Sequence, residues 1–153
     1  TRAAGIDSFF SSTDNNFFIT GVQMEVGPVA TEFEQEDIST TLAKCQRYYQ
    51  KWLSDTVSDS VMTAAAISDV AFIGDYFLKT SMRSVPTMGT SGTYKARLKT
   101  NDRAITGQPA INRATTENVQ IFATIATDNN ESGFAGFLKT DDDDAFLEFI
   151  AEL

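Results

Sequence analysis

Beyond residue 60 the chain is cut into short runs of β-forming residues, and the spacing of those cuts limits the possible folds more than any other feature. The runs are 61–67, 69–73, 76–80, 93–99, 104–110, 117–126, 134–139 and 145–153. Between them lie turn signals: Gly74-Asp75, Gly89 to Gly92, Asn101-Asp102, Gly107, Asp128 to Gly133 and Asp141 to Asp144. Frequent turns of this kind suit hairpins and leave no room for the long helical crossovers of a parallel sheet. The expected fold is therefore all-β, an antiparallel β-sandwich of jelly-roll-like type.

Only residues 38–46 carry a helical period. Ile38, Leu42 and Cys45 fall on one stripe, Asp37 or Ser39 can cap the start, and Glu32, Glu34 and Glu36 precede it where a helix dipole favours negative charge. From Arg47 the residues turn bulky and β-prone, with Tyr48, Tyr49, Trp52 and Leu53. Upstream, residues 17–26 alternate and predict a strand with a neighbour on each side, ended by Gly27-Pro28. The expected division is residues 1–30 as the last strand and linker of an upstream sandwich, 31–46 as linker and short helix, and 47–153 as a C-terminal sandwich. The start at Thr1, without Met, reads as part of a longer polypeptide.

Charge and side-chain chemistry remove several functions. A net charge of −9 with scattered Lys and Arg repels nucleic-acid phosphates and anionic bilayers. No run is long and apolar enough to be read as a membrane span. Histidine is absent, which takes away the commonest general base and zinc ligand. Cys45 is the lone cysteine, so no internal disulfide can form. No phosphate-binding loop, G-x-S-x-G or H-E-x-x-H occurs. The four residues Asp141 to Asp144 lack the spacing and the glycine of a calcium loop and read as a solvated turn, as do Asp128 to Glu131. The expectation is no enzyme activity, no metal and no cofactor.

Four segments add a resemblance. Residues 19–34, ITGVQMEVGPVATEFE, then Cys45-Gln46-Arg47-Tyr48-Tyr49, then Met82-Arg83 with Pro86-Thr87, and last Ala151-Glu152-Leu153, resemble in order a pattern of bacteriophage tail-fibre and tail-structural proteins. Met24 stands where Leu is commoner, a swap that conserves volume. Residues 89–136 match no part of the pattern. The resemblance implies the distal domain of a virion fibre, assembled in the host cytoplasm. It would be a homotrimer, would join other virion tail proteins, and would recognise a bacterial surface polysaccharide or outer-membrane receptor. A purely structural fibre, collar or baseplate part and a carbohydrate-binding module are the alternatives.

The residues that carry the pattern have plain structural readings. Gly21 breaks a bulky strand and suggests a bulge. Cys45, on an apolar stripe without a base nearby, reads as a buried structural thiol. Arg47, Tyr48 and Tyr49 read as a packing and interface cluster, with Arg47 pairing Glu34 or Glu36 or stacking on a ring. Trp52 and Tyr94 are the candidate platforms for a sugar ring, with burial at a subunit contact as the competing reading for Trp52. Phe17, Phe18, Phe72, Phe77 and Phe134 together exceed what one sandwich hides, and predict burial between subunits.

Overall fold

The structure, a computed structural model, describes residue 14 and residues 16–33, 35–126 and 132–152. Contacts divide the chain into two units, residues 1–36 and 37–153. The helical segment thus groups with the C-terminal unit.

In the first unit, the strand expected over 17–26 is not formed, and these residues are exposed. Alternation alone cannot make a strand, because its N–H and C=O groups need a neighbouring strand to answer them. What the pattern residues do instead is tie a turn. Glu25 accepts hydrogen bonds from the Thr31 backbone N–H at 2.5 Å and the Thr31 hydroxyl at 2.7 Å, and Gln23 Nε2 donates to Thr31 Oγ1 at 3.2 Å. The bonds from Thr31 hold the Glu25 carboxyl below the usual carboxylate range. Gly21 lies outside any strand, at φ +65° with open space around its missing Cβ. It serves a left-handed backbone position rather than a bulge.

The second unit opens with α1 (Ile38–Gln46), capped by Asp37, whose carboxylate accepts the Ser39 N–H at 3.0 Å. Nine strands follow among the described residues: β1 (Tyr49–Leu53), β2 (Ser60–Ala66), β3 (Ala71–Phe77), β4 (Thr87–Ser91), β5 (Tyr94–Leu98), β6 (Asn101–Ala114), β7 (Asn118–Ile125), β8 (Ala135–Thr140) and β9 (Phe146–Ile150). Every pairing is antiparallel. The all-β expectation with one short helix therefore stands. The sandwich does not: β2-β3-β7-β6-β5-β8 close into a six-stranded barrel, and β1-β9-β4 form a separate three-stranded sheet.

Two devices close the barrel. The first is the length of β6, which pairs β5 through Asn101–Ala104 and then β7 through Ile105–Ala114. Register shifts between Thr106 and Ala110 and between Ile111 and Arg113 bend it between these duties. Gly107, at φ +73°, and Pro109 sit in the first shift, where a missing ladder bond is tolerated. The second is a row of small residues. Ile121 pairs Gly74, Gly74 pairs Ala64, Ala64 pairs Gly136, and Gly136 pairs Leu98. A Cβ on Gly136 would lie 1.9 Å from the Arg97 carbonyl oxygen, and one on Gly74 2.4 Å from the Thr63 carbonyl oxygen. An eight-stranded barrel is already only just wide enough to be filled by side chains, so one of six must thin its wall wherever it curves hardest.

Strand alternation supplies the core. Tyr94, Ala96 and Leu98 on β5, and Val119, Ile121, Ala123 and Ile125 on β7, point inward. Leu147 and Phe149 on β9 join the same cluster with Phe72 and Leu138. The expected break at Gly74-Asp75 is absent, and β3 runs through both residues. The turn expected at Asn101-Asp102 lies two residues earlier, at Lys99-Thr100.

Candidate functional site

Three of the four pattern segments meet at one junction. The Arg83 N–H donates to the Arg47 carbonyl at 2.8 Å, and the Ala151 N–H donates to the Tyr48 carbonyl at 2.8 Å. The Arg83 guanidinium stands over the Tyr48 ring, 5.6 Å from its centroid. This is the stacking contact expected of Arg47, made by a different arginine. Arg47 itself ends α1 as its C-terminal cap. Of its two expected ion-pair partners, Glu34 lies outside the described residues.

Gln50, beside the junction on β1, is buried and fully used. Its Nε2 donates to the carbonyls of Thr80 at 2.8 Å and Gln46 at 3.0 Å, while its Oε1 accepts the Lys79 N–H at 2.8 Å. The Tyr49 hydroxyl donates to Glu148 at 3.0 Å across the β1–β9 pair. Partial desolvation, then the Glu148 carboxylate, push that phenol's pKa up. Met82 is buried, and Thr87 starts β4 opposite Ile150. The pattern residues thus anchor β1, β9 and β4 to one another.

The two expected sugar platforms are not free. Trp52 is half-buried, faces Leu147 across β1–β9, and packs on the core. Tyr94 is 5% exposed, its ring inside the core. Its hydroxyl lies 2.7 Å from the Phe146 carbonyl, to which it donates, and 3.0 Å from that of Ser91. Burial drives its pKa far up, so it stays a neutral donor. Tyr94 offers no face to a ligand because alternation in β5 turns it inward with Ala96 and Leu98. The buried thiol is also corrected: Cys45 is exposed, and α1 has no buried residue.

The acidic turn is a solvated structural loop. Asp141 pairs Lys95 at 2.7 Å, and Asp142 accepts the Thr93 N–H at 2.6 Å and the Thr93 hydroxyl at 2.7 Å. The loop expected at Asp128 to Glu131 lies outside the described residues. Among the described residues no group of three or more acidic or cysteine side chains could hold a metal ion. No helix there is long and apolar enough to cross a membrane.

One surface feature escaped the sequence reading. β2 and β3 pair only through Ala64–Ala66 and Phe72–Gly74, while β3 continues on β7 to Phe77. Past Gly74 the two strands part, leaving Asp75–Phe77 with no β2 partner. An open depression of about 380 Å³ forms there, lined by Thr63, Ile73, Asp75 and Phe77 among others. Phe77 is 76% exposed. An apolar ring beside a carboxylate, a hydroxyl and unpaired strand edge is suited to a ligand with C–H faces and many hydroxyls. The alternating pattern of β3 marks Phe77 as outward, but nothing local to it announces where β2 leaves.

No protein family, curated protein or solved structure matches the chain.

Proposed function

We propose that this chain is the distal module of a bacteriophage tail fibre, a homotrimer that attaches the virion to a glycan on the bacterial surface. The resemblance over four ordered segments supports the class. The observation that carries the assembly is the apolar surface left in water: Phe18 is 89% exposed, Met24 98% and Ile38 83%. So many large apolar side chains on one chain call for partner surfaces, and identical copies about a closed axis supply them. Segment 89–136, outside the resemblance, takes in the end of β4 (Gly89–Ser91), all of β5, β6 and β7 and the first two residues of β8; in the barrel strands β5 to β7 variation can reshape a surface without touching the β1-β9-β4 sheet.

The glycan role rests on the depression beside Phe77. Sugar rings present C–H faces to an aromatic ring and hydroxyls to a carboxylate such as Asp75. The test joins two measurements on the full chain: sedimentation at micromolar concentration, and retention on a panel of bacterial surface polysaccharides. A trimer that is retained by at least one polysaccharide is expected. A monomer retained by none overturns the reading.

A further inference from the structure

The helix α1 is an element without a core of its own. It has nine residues, below the length at which an isolated helix holds in water, and none of them is buried. Its apolar residues are nevertheless in order. Ile38, Leu42 and Cys45 follow the four-then-three spacing of a coiled-coil seam, and all three are exposed.

We propose that α1 is the self-association seam of the module, where three copies of this helix pack in parallel about the trimer axis. The inference rests on the trimeric reading above and specifies where its axis runs. Two observations select a like copy as the occupant. First, the seam places Leu42 at an a position and Ile38 at a d position, the order that favours more than two strands. Second, the flanking e and g positions are Ser39, Thr41 and Gln46. Identical helices placed side by side therefore meet no like charge at these positions, in a chain whose net charge is −9. A coiled-coil partner chosen by charge would find no signal at these same positions. Cys45, one heptad after Ile38, comes close to its counterparts at the axis.

That position supplies the experiment. The intact chain is oxidised with copper–phenanthroline and run on a denaturing gel without reductant, beside sedimentation of wild type and of Leu42→Asp. Two thiols of each trimer lose their protons and two electrons to the oxidant and join, while the third stays free. Full oxidation should therefore give two covalently linked chains for every unlinked one. Leu42→Asp should weaken association at least a hundredfold while the far-ultraviolet spectrum of the barrel is kept. Leu42→Ala, milder at the same site, should weaken it less. A trimer that survives Leu42→Asp and leaves Cys45 uncrosslinked overturns the seam but retains the trimer. A wild type that sediments as a monomer overturns both.

Discussion

Replacing Gly136 with alanine tests whether barrel closure depends on a thinned wall. The added Cβ would sit 1.9 Å from the Arg97 carbonyl oxygen, against 3.4 Å for the start of ordinary contact, so β5 and β8 must part by about 1.5 Å. The obstacle is backbone, which cannot swing aside as a side chain can. Overpacking of this kind costs ~1–3 kcal/mol. Parting the strands also weakens the ladder bond next to the Leu98–Gly136 pair, the last pair of the β5–β8 ladder, worth ~1 kcal/mol. The sum is about 3 kcal/mol, or a fall in Tm of about 10 °C for a unit of this size. Gly107→Ala is the control, because its site has φ +73° with no atom within 4 Å of a Cβ. It should lose only the ~1–2 kcal/mol of left-handed strain. Thermal unfolding followed by circular dichroism, at one fixed protein concentration, reads both. A Gly136→Ala Tm within a few degrees of wild type, or above that of Gly107→Ala, refutes the argument.

Other perturbations address separate parts. Phe77→Ala should abolish polysaccharide retention while shifting stability by no more than about 0.5 kcal/mol, because the ring is exposed; unchanged retention in a column assay counts against the depression as the binding surface. Tyr94→Phe removes the donor to the Phe146 carbonyl and should cost ~1–2 kcal/mol in urea unfolding. Asp59 accepts bonds from the Asp55 N–H, the Thr56 hydroxyl and the Ser54 hydroxyl, which lower its pKa from an ordinary 3.8 to about 2. Because the folded value is the lower one, its stabilisation is whole above pH 3.8 and fades as pH falls through 2. Asp59→Asn should therefore be less stable than wild type at pH 6, with the gap closing toward pH 2; a gap that stays constant between these values contradicts the assignment.

How much could be read in advance varied with how local the cause was. Helix α1 was legible to its residues, because the cap Asp37 and the stripe of Ile38, Leu42 and Cys45 are contained in ten consecutive positions. Strand β7 was legible for the same reason, its run at 117–126 covering the observed Asn118–Ile125. Barrel closure was not, since it depends on Gly74, Ala64 and Gly136, three residues on three strands that become a row only after pairing. Tyr94 misled because a tyrosine after a glycine-rich turn looks exposed, whereas the period of its own strand turns it inward. Cys45 misled in the opposite sense, its apolar stripe implying a core that the described residues do not provide. The depression beside Phe77 depends on where two strands part, which no run of residues records.

The Ser54 N–H donates to the Ala145 carbonyl at 2.8 Å, so the chain leaves the β1-β9-β4 sheet and re-enters it at points one hydrogen bond apart. Between those points it makes two excursions into the barrel, 60–77 and 94–140, and touches down once in the sheet as β4. A genetic crossover near these three landings would exchange the barrel and leave the pairing of β1, β9 and β4 in register. Exchange of such cassettes would alter the barrel surface while the splice points, held by the sheet's own pairing, stay fixed.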